Sequence, residues 1–207
     1  EYFTHDSIYE VVAFSVEQQY LKRTELFGLP VVAFETLEQN YAPDTHSFYA
    51  AIVYSNLNRL RTRLYDAAKA KGYKPASYIS TRAFVWPNVE MGEHCFIFEN
   101  NVVQPFVKLG NNVVMWSGNH IGHHSTIANN CFIASHAVLS GFVTIGRNCF
   151  IGVNATISNN IDVAEDCVIG AGALVSKNIA SDSVVKGPAS EVAGNARRLN
   201  RVKDSAS

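Results

Sequence analysis

The sequence predicts a mainly β chain wound as a parallel β-helix, preceded by a smaller α/β segment. Three observations carry this. Every sixth residue from Ile79 to Val175 is Ile, Val, Leu or Met, in unbroken phase and without one insertion. A helix repeats at about 3.6 residues and a strand at about 2, so this spacing is an internal repeat. The residue four places later is usually small or apolar, as at Ala83, Cys95, Val107, Ser125, Cys131, Ala137, Ala155 and Ala173. Each hexad is then one short strand and a turn, and three hexads make a triangular coil whose successive turns stack about 4.8 Å apart. Turn residues also recur with the coil, at Glu93-His94, Asn111-Asn112, Asn129-Asn130, Arg147-Asn148 and Glu165-Asp166. Asn and Asp tolerate the left-handed backbone of tight turns.

Residues 1–78 have a different pattern. Val11-Val12-Ala13-Phe14, Val31-Val32-Ala33-Phe34 and the run from Tyr49 to Tyr54 are apolar strand candidates. Leu57, Leu60, Leu64, Ala67 and Ala68 then recur at helical spacing, and Gly72 closes that helix. Strands alternating with helices predict a small parallel α/β domain over 1–78. Glu1-Tyr2-Phe3 reads as the end of a helix with no Met before it. An earlier strand and a Gly-rich phosphate-binding turn are therefore expected upstream of Glu1, and no GxGxxG occurs in the sequence itself. The coil follows over 79–180, and a closing loop and helix over 181–207.

The net charge of -1 over 207 residues gives no general attraction to nucleic acid or membrane surfaces. No run of eighteen apolar residues and no secretory signal is visible. The four cysteines, Cys95, Cys131, Cys149 and Cys167, share the fifth hexad position and read as small, reduced interior side chains. A cytosolic location is the simplest expectation.

The chemistry concentrates in one segment. His120, His123, His124 and His136 are four of the seven histidines. In the hexad register His123 and His124 take both turn positions of one corner, followed one coil later by Gly141-Phe142. The adjacent corner stacks Ser117-Gly118, Ser135-His136, Val153-Asn154 and Ala171-Gly172. Small residues beside a histidine corner predict a shallow groove along the coil axis. An imidazole of near-neutral pKa there can deprotonate an amine or hydroxyl as it attacks a thioester. Backbone N–H groups of the small-residue corner can hold the thioester carbonyl and the pantetheine amides. His120 reads as a wall residue, His94 as a turn residue and Trp116 as wall packing.

The segment Ile121–Ser125, the stretch Gly146-Arg147-Asn148-Cys149-Phe150-Ile151-Gly152-Val153-Asn154 and Ile169-Gly170-Ala171-Gly172-Ala173 carry a family resemblance. They resemble the hexapeptide-repeat left-handed β-helix acyltransferases. Among these they resemble the nucleotide-sugar group that includes bacillosamine N-acetyltransferases and sialic-acid O-acetyltransferase-like proteins. The resemblance covers essentially the whole chain and implies the handedness, a Rossmann-like first domain that is incomplete here, and a homotrimer with active sites between neighbouring β-helices. It implies acetyl transfer from acetyl-CoA to the amino group of a nucleotide-linked amino sugar, with O-acetylation as the alternative. By the match His123 falls on the general base, and the acidic residue that follows it in the family is here His124. Val153 and Ala171 fall where backbone meets coenzyme A. A family histidine at that cofactor falls on Phe132, leaving His136 as the candidate contact. Gly187, in Val184-Val185-Lys186-Gly187-Pro188-Ala189, resembles the closing loop at the cofactor, and Arg197, Arg198, Arg201 and Lys203 follow on an expected helix. Ser15 and Glu17 fall on acidic sugar-nucleotide ligands, of which only Glu17 keeps the charge, and Tyr54 and Asn56 lie where the nucleotide is held.

Two other classes are weighed. The γ-type carbonic anhydrases share the coil and bind zinc through three histidines, but His120, His123, His124 and His136 are spaced three, one and twelve apart. That spacing does not supply three convergent ligands, so no metal is expected. A non-catalytic sugar-nucleotide-binding scaffold is the third class, suggested by the departures at Ser15, Val16, His124 and Phe132.

Overall fold

A side chain that recurs every sixth residue stays inside only if the chain turns one corner per hexad. The computed structural model, which describes residues 1–190, has three parallel sheets built in this way. One, the aromatic face, stacks Tyr78–Ile79, Phe96–Ile97, Val114–Met115, Phe132–Ile133, Phe150–Ile151, Val168–Ile169 and Val184–Val185. The next, the open face, stacks Phe84–Val85, Val102–Val103, His120–Ile121, Val138–Leu139, Thr156–Ile157 and Leu174–Val175. The third, the polar face, stacks Glu90–Met91, Lys108–Leu109, Thr126–Ile127, Thr144–Ile145 and Asp162–Val163. Register partners such as Val103, Ile121 and Leu139 are one coil apart. The chain is thus mainly β, with parallel strands stacked as in a left-handed β-helix, and the rung at Val184–Val185 carries the stack past residue 180.

The second residue of each short strand points inward, so Ile97, Met115, Ile121, Ile127, Ile133 and Ile145 are fully buried in one continuous core. The four cysteines lie in the same core as free thiols. Each corner needs one left-handed residue, and every sixth residue from His94 to Gly172 supplies it, with φ between 57° and 79°. At the corner between the polar and aromatic faces these side chains bond along the axis. His94 Nδ1 pairs with Asn112 Oδ1 (2.9 Å), Asn112 Nδ2 donates to Asn130 Oδ1 (2.9 Å), Asn130 Nδ2 to Asn148 Oδ1 (3.1 Å) and Asn148 Nδ2 to Asp166 Oδ1 (2.9 Å).

The segment before the coil begins with α1 (Tyr2–His5), and the Asp6 carboxylate accepts from Tyr78 Oη and Thr81 Oγ1, both at 2.6 Å. β1 (Phe14–Val16) pairs in parallel with β3 (Leu29–Ala33), and β2 (Glu25–Leu26) pairs antiparallel with β3. β4 (Ser47–Phe48) pairs in parallel with β5 (Lys74–Pro75), and α2 (Arg59–Ala70) ends at Gly72, φ 92°. Two expectations are corrected. Residues 11–13 precede the first strand, and the run from Tyr49 to Tyr54 is not a strand at all. Its apolar character serves packing: Tyr49 lies 5.1 Å from Phe96 and Tyr54 4.7 Å from Phe150, so the run covers the aromatic face of the coil. The segment therefore carries two small sheets where one alternating parallel sheet was expected. Arg197, Arg198, Arg201 and Lys203 lie outside the described residues.

α2 is fixed to the coil by Arg61, which is fully buried. Its guanidinium donates to Asn112 Oδ1 (3.0 Å), to the carbonyls of Asn112 and Asn130 (3.2 Å each) and to that of Cys131 (3.3 Å). A buried cation is tolerable only when its donors are satisfied in this way. Beside it, the His94 ring stacks on Tyr49 at 4.4 Å, and its Nε2 accepts the Ala50 N–H (2.8 Å). Burial pushes the His94 pKa down to about 4, with the nearby Arg61 charge a further depressing cause.

Unfolded His94 takes a proton near pH 6.5 that the folded ring refuses until about pH 4. Stability should therefore be full above pH 6.5 and fall as the pH drops toward 4, by about 3 kcal/mol in all. Denaturant melts across that range check this. His94→Asn, which extends the Asn ladder without a titrating ring, should flatten the slope.

Candidate active site

The histidine doublet sits where the open face turns into the polar face. Its backbone is bonded to the rungs on either side: His123 N–H donates to Gln104 Oε1 (2.9 Å), and Phe142 N–H donates to the His123 carbonyl (3.0 Å). The His123 ring leans over Gly141, where an added methyl would come within 2.8 Å of Cε1 and 2.9 Å of Nε2. His123 Nδ1 lies 3.2 Å from His124 Nδ1, so one ring donates and the other accepts. His124 is stacked between Phe106 at 4.7 Å and Phe142 at 4.8 Å, and Phe142 meets His123 edge-on at 5.1 Å. The edges of both imidazoles remain exposed.

The cofactor candidates line a different corner, where the aromatic face turns into the open face. His136, Val153 and Ala171 follow one another up it, and Gly187 packs so closely on the Ala171 carbonyl that a side chain there would overlap it. His136 covers left-handed Gly118 of the rung before. These corners do not form one groove in a single chain. The chain from His136 to Gly141, through the strand Val138–Leu139, separates the two edges by up to roughly 16 Å at about 3.3 Å per residue. Between them the open face presents Val138, Leu174, Ser140, Thr156 and half-buried His120.

The N-terminal candidates are scattered by role. Ser15 is exposed on β1, whereas both Glu17 oxygens are held by Arg63 at 2.8 and 3.0 Å, which lowers the Glu17 pKa. Tyr54, with Leu57, Phe150 and Val168, lines an apolar cavity of about 290 Å³. Asn56 opens a run of three left-handed residues, Asn56, Leu57 and Asn58, that leads into α2. Trp116 packs against Phe98 and Phe132, as a wall residue should. Among the described residues no three of His, Cys, Asp and Glu converge as a metal site requires, and no helix is long and apolar enough to cross a membrane.

Comparison with known proteins bears on what such a coil does. Residues 106–141 match the bacterial transferase hexapeptide (six repeats), and residues 142–177 match the hexapeptide repeat of succinyl-transferase. Both matches lie within the coil, whose repeat is thus similar to that of hexapeptide transferases. The acetyltransferase domain of PglB from Neisseria gonorrhoeae superposes with a TM-score of 0.77 at 25% identity, over 86% of this chain and 85% of that one. A histidine variant of perosamine N-acetyltransferase from Caulobacter crescentus gives 0.74 at 22% identity, over 84% and 81%. WeeI from Acinetobacter baumannii gives 0.71 at 22%, over 84% and 82%. A search of curated proteins finds no match. With repeat and fold in agreement, the protein is an acyltransferase.

The sequence marks His123 and His124 and stacks Gly141-Phe142 one coil after them, but it assigns Phe106, Gly141 and Phe142 no contact with the two rings. The usable signal was their position: Phe106 and Phe142 are one coil before and one coil after His124. Because Gly141 leaves the space His123 occupies, the acyltransferase variant Gly141→Ala should displace a flexible ring tip and leave the coil intact. The melting temperature should stay within a few degrees while the Cε1–H resonance of His123 shifts, both readable by calorimetry and NMR.

Proposed function

We propose that the acyltransferase moves an acetyl group from acetyl-CoA onto the amino group of a nucleotide-linked amino sugar, with His123 as general base. One observation carries this reading. His123 is an exposed imidazole whose Nδ1 is engaged by His124, leaving Nε2, above Gly141, as the nitrogen able to take a proton. The amine nitrogen attacks the thioester carbon and forms the C–N bond as its proton passes to Nε2. The tetrahedral oxyanion then collapses, the C–S bond breaks, and the thiolate of CoA recovers the proton from the imidazolium. General-base catalysis of this type is worth about 10² to 10⁴ in rate. Support comes from the fold neighbours: the perosamine enzyme was crystallised with CoA and GDP-perosamine, and the PglB domain with acetyl coenzyme A.

The corner of His136, Val153, Ala171 and Gly187 holds the coenzyme, the backbone N–H groups of Val153, Ala171 and Gly187 meeting the pantetheine arm and carbonyl. Residues 1–78, read as a Rossmann-like nucleotide-sugar domain, hold the other substrate through Ser15, Tyr54 and Asn56. Glu17 takes part by exchanging its Arg63 partner for the ligand. Because the histidine and cofactor corners lie on opposite edges of the open face, the site is completed by a second copy. A trimer whose copies meet there covers Val138 and Leu174, which are 37% and 68% exposed in the single chain.

Thiol release from acetyl-CoA, followed with a panel of nucleotide-linked amino sugars, tests the chemistry. One sugar should support turnover, and His123→Ala should lower kcat by about 10² to 10⁴. Equal rates would remove His123 from the mechanism, and a hydroxylamine-labile product would make the acceptor a hydroxyl. The assembly has its own test. His123→Ala and Ala171→Trp should each be inactive, while co-assembled equal amounts should regain about a quarter of the sites, as random mixing of copies in a closed ring requires. No regain would confine the site to one chain.

A further inference from the structure

The left-handed position at each corner is filled almost throughout by Asn, Asp, His or Gly, residues that accept that backbone. Phe106 (φ 65°) and Phe142 (φ 59°) are the exceptions along the run from His94 to Gly172, and both flank His124. A bulky residue in this region is a strained outlier, and such strain collects where function over-determines the structure. Burial within the chain does not explain them, since the two residues are 54% and 50% exposed. Nor does the ladder, since Asn at equivalent positions bonds along the axis and a phenyl ring cannot.

We propose that Phe106 and Phe142 are positioning residues: they clamp His124 so that it sets the tautomer of His123. Stacking at interplanar angles of 27° and 16° covers both faces of the His124 ring and fixes its plane, and the contact with His123 Nδ1 at 3.2 Å selects the flip that turns its Nδ1 that way. With Nε2 of His124 carrying its hydrogen, its Nδ1 is an acceptor. In the proposed arrangement His123 holds its own hydrogen on Nδ1, and its Nε2 is left bare. Phe142 also meets the His123 ring edge-on, so one side chain orients both members of the pair. A clamped neutral imidazole here does the orienting that a carboxylate does for histidine in other acid–base pairs. The proposal rests on His123 being the base, but its structural half does not depend on turnover.

The variants are Phe106→Asn and Phe142→Asn, which keep a residue suited to the left-handed corner and remove the ring. Their melting temperatures should be unchanged or raised by a few degrees. kcat should fall tenfold or more with both KM values within about twofold, and Phe142→Tyr should restore it. In a His124→Ala background the same changes should have no further effect, because the rings act through His124. Nitrogen-15 NMR should find His123 as the Nδ1–H tautomer in the wild type and as a mixture in the Asn variants. An unchanged tautomer in those variants overturns the clamp whatever the activity. Full activity in them, with His123→Ala inactive, overturns it while leaving the base in place. If His123→Ala is as active as wild type, the base assignment fails, and the tautomer measurement alone decides the clamp.

Discussion

The constraint on which the rest of this molecule depends is a left-handed residue at every sixth position. A parallel coil with two-residue strands has no long turn in which to change direction, so each corner is made by one residue at φ near 60°. For most L-residues that conformation costs about 1–2 kcal/mol. Over more than a dozen corners the sum would exceed the net stability of a typical domain. The coil therefore exists only because its corners are assigned almost wholly to Asn, Asp, His and Gly.

Once the corner residue is chosen for its backbone, its side chain is available for something else, and the three edges of the prism use this differently. Along one edge Asn112, Asn130 and Asn148 bond to one another, and His94 and Arg61 attach the preceding segment to that ladder. Along the second, His136, Asn154 and Gly172 leave main chain and small side chains accessible. Along the third, Phe106, His124 and Phe142 are aromatic, and stacking takes the place of hydrogen bonding. The same local geometry thus supplies an attachment line, a corner of small residues and a histidine pair, and edge identity alone separates them.

The coil was legible because its interior demands one kind of side chain at one spacing: Ile121, Ile127 and Ile133 announce it without knowledge of any contact. Cys95 and Cys149 were legible for the same reason. The run from Tyr49 to Tyr54 misled because burial against a foreign surface and burial within a sheet both select apolar side chains, and the sequence records the selection without its partner. His123 and His124 stood out as a doublet in turn register. The separation of their corner from that of His136 did not, since residues 123 and 136 are near in sequence while a whole strand width lies between their edges. Phe142 illustrates the same limit, because an aromatic residue in a turn acquires meaning only once its φ and its stacking partner are known.

The register that stacks Val103, Ile121 and Leu139 has a genetic corollary. Loss or gain of a single hexad upstream of residue 121 would preserve every inward side chain and every turn signal, so the coil would still wind. It would also rotate all later residues by one face, carrying the histidine doublet from the third edge of the prism to a neighbouring one. Only insertions and deletions of whole coils conserve which surface a residue occupies. For this chain the reading frame of structure is six residues, but the reading frame of function is eighteen.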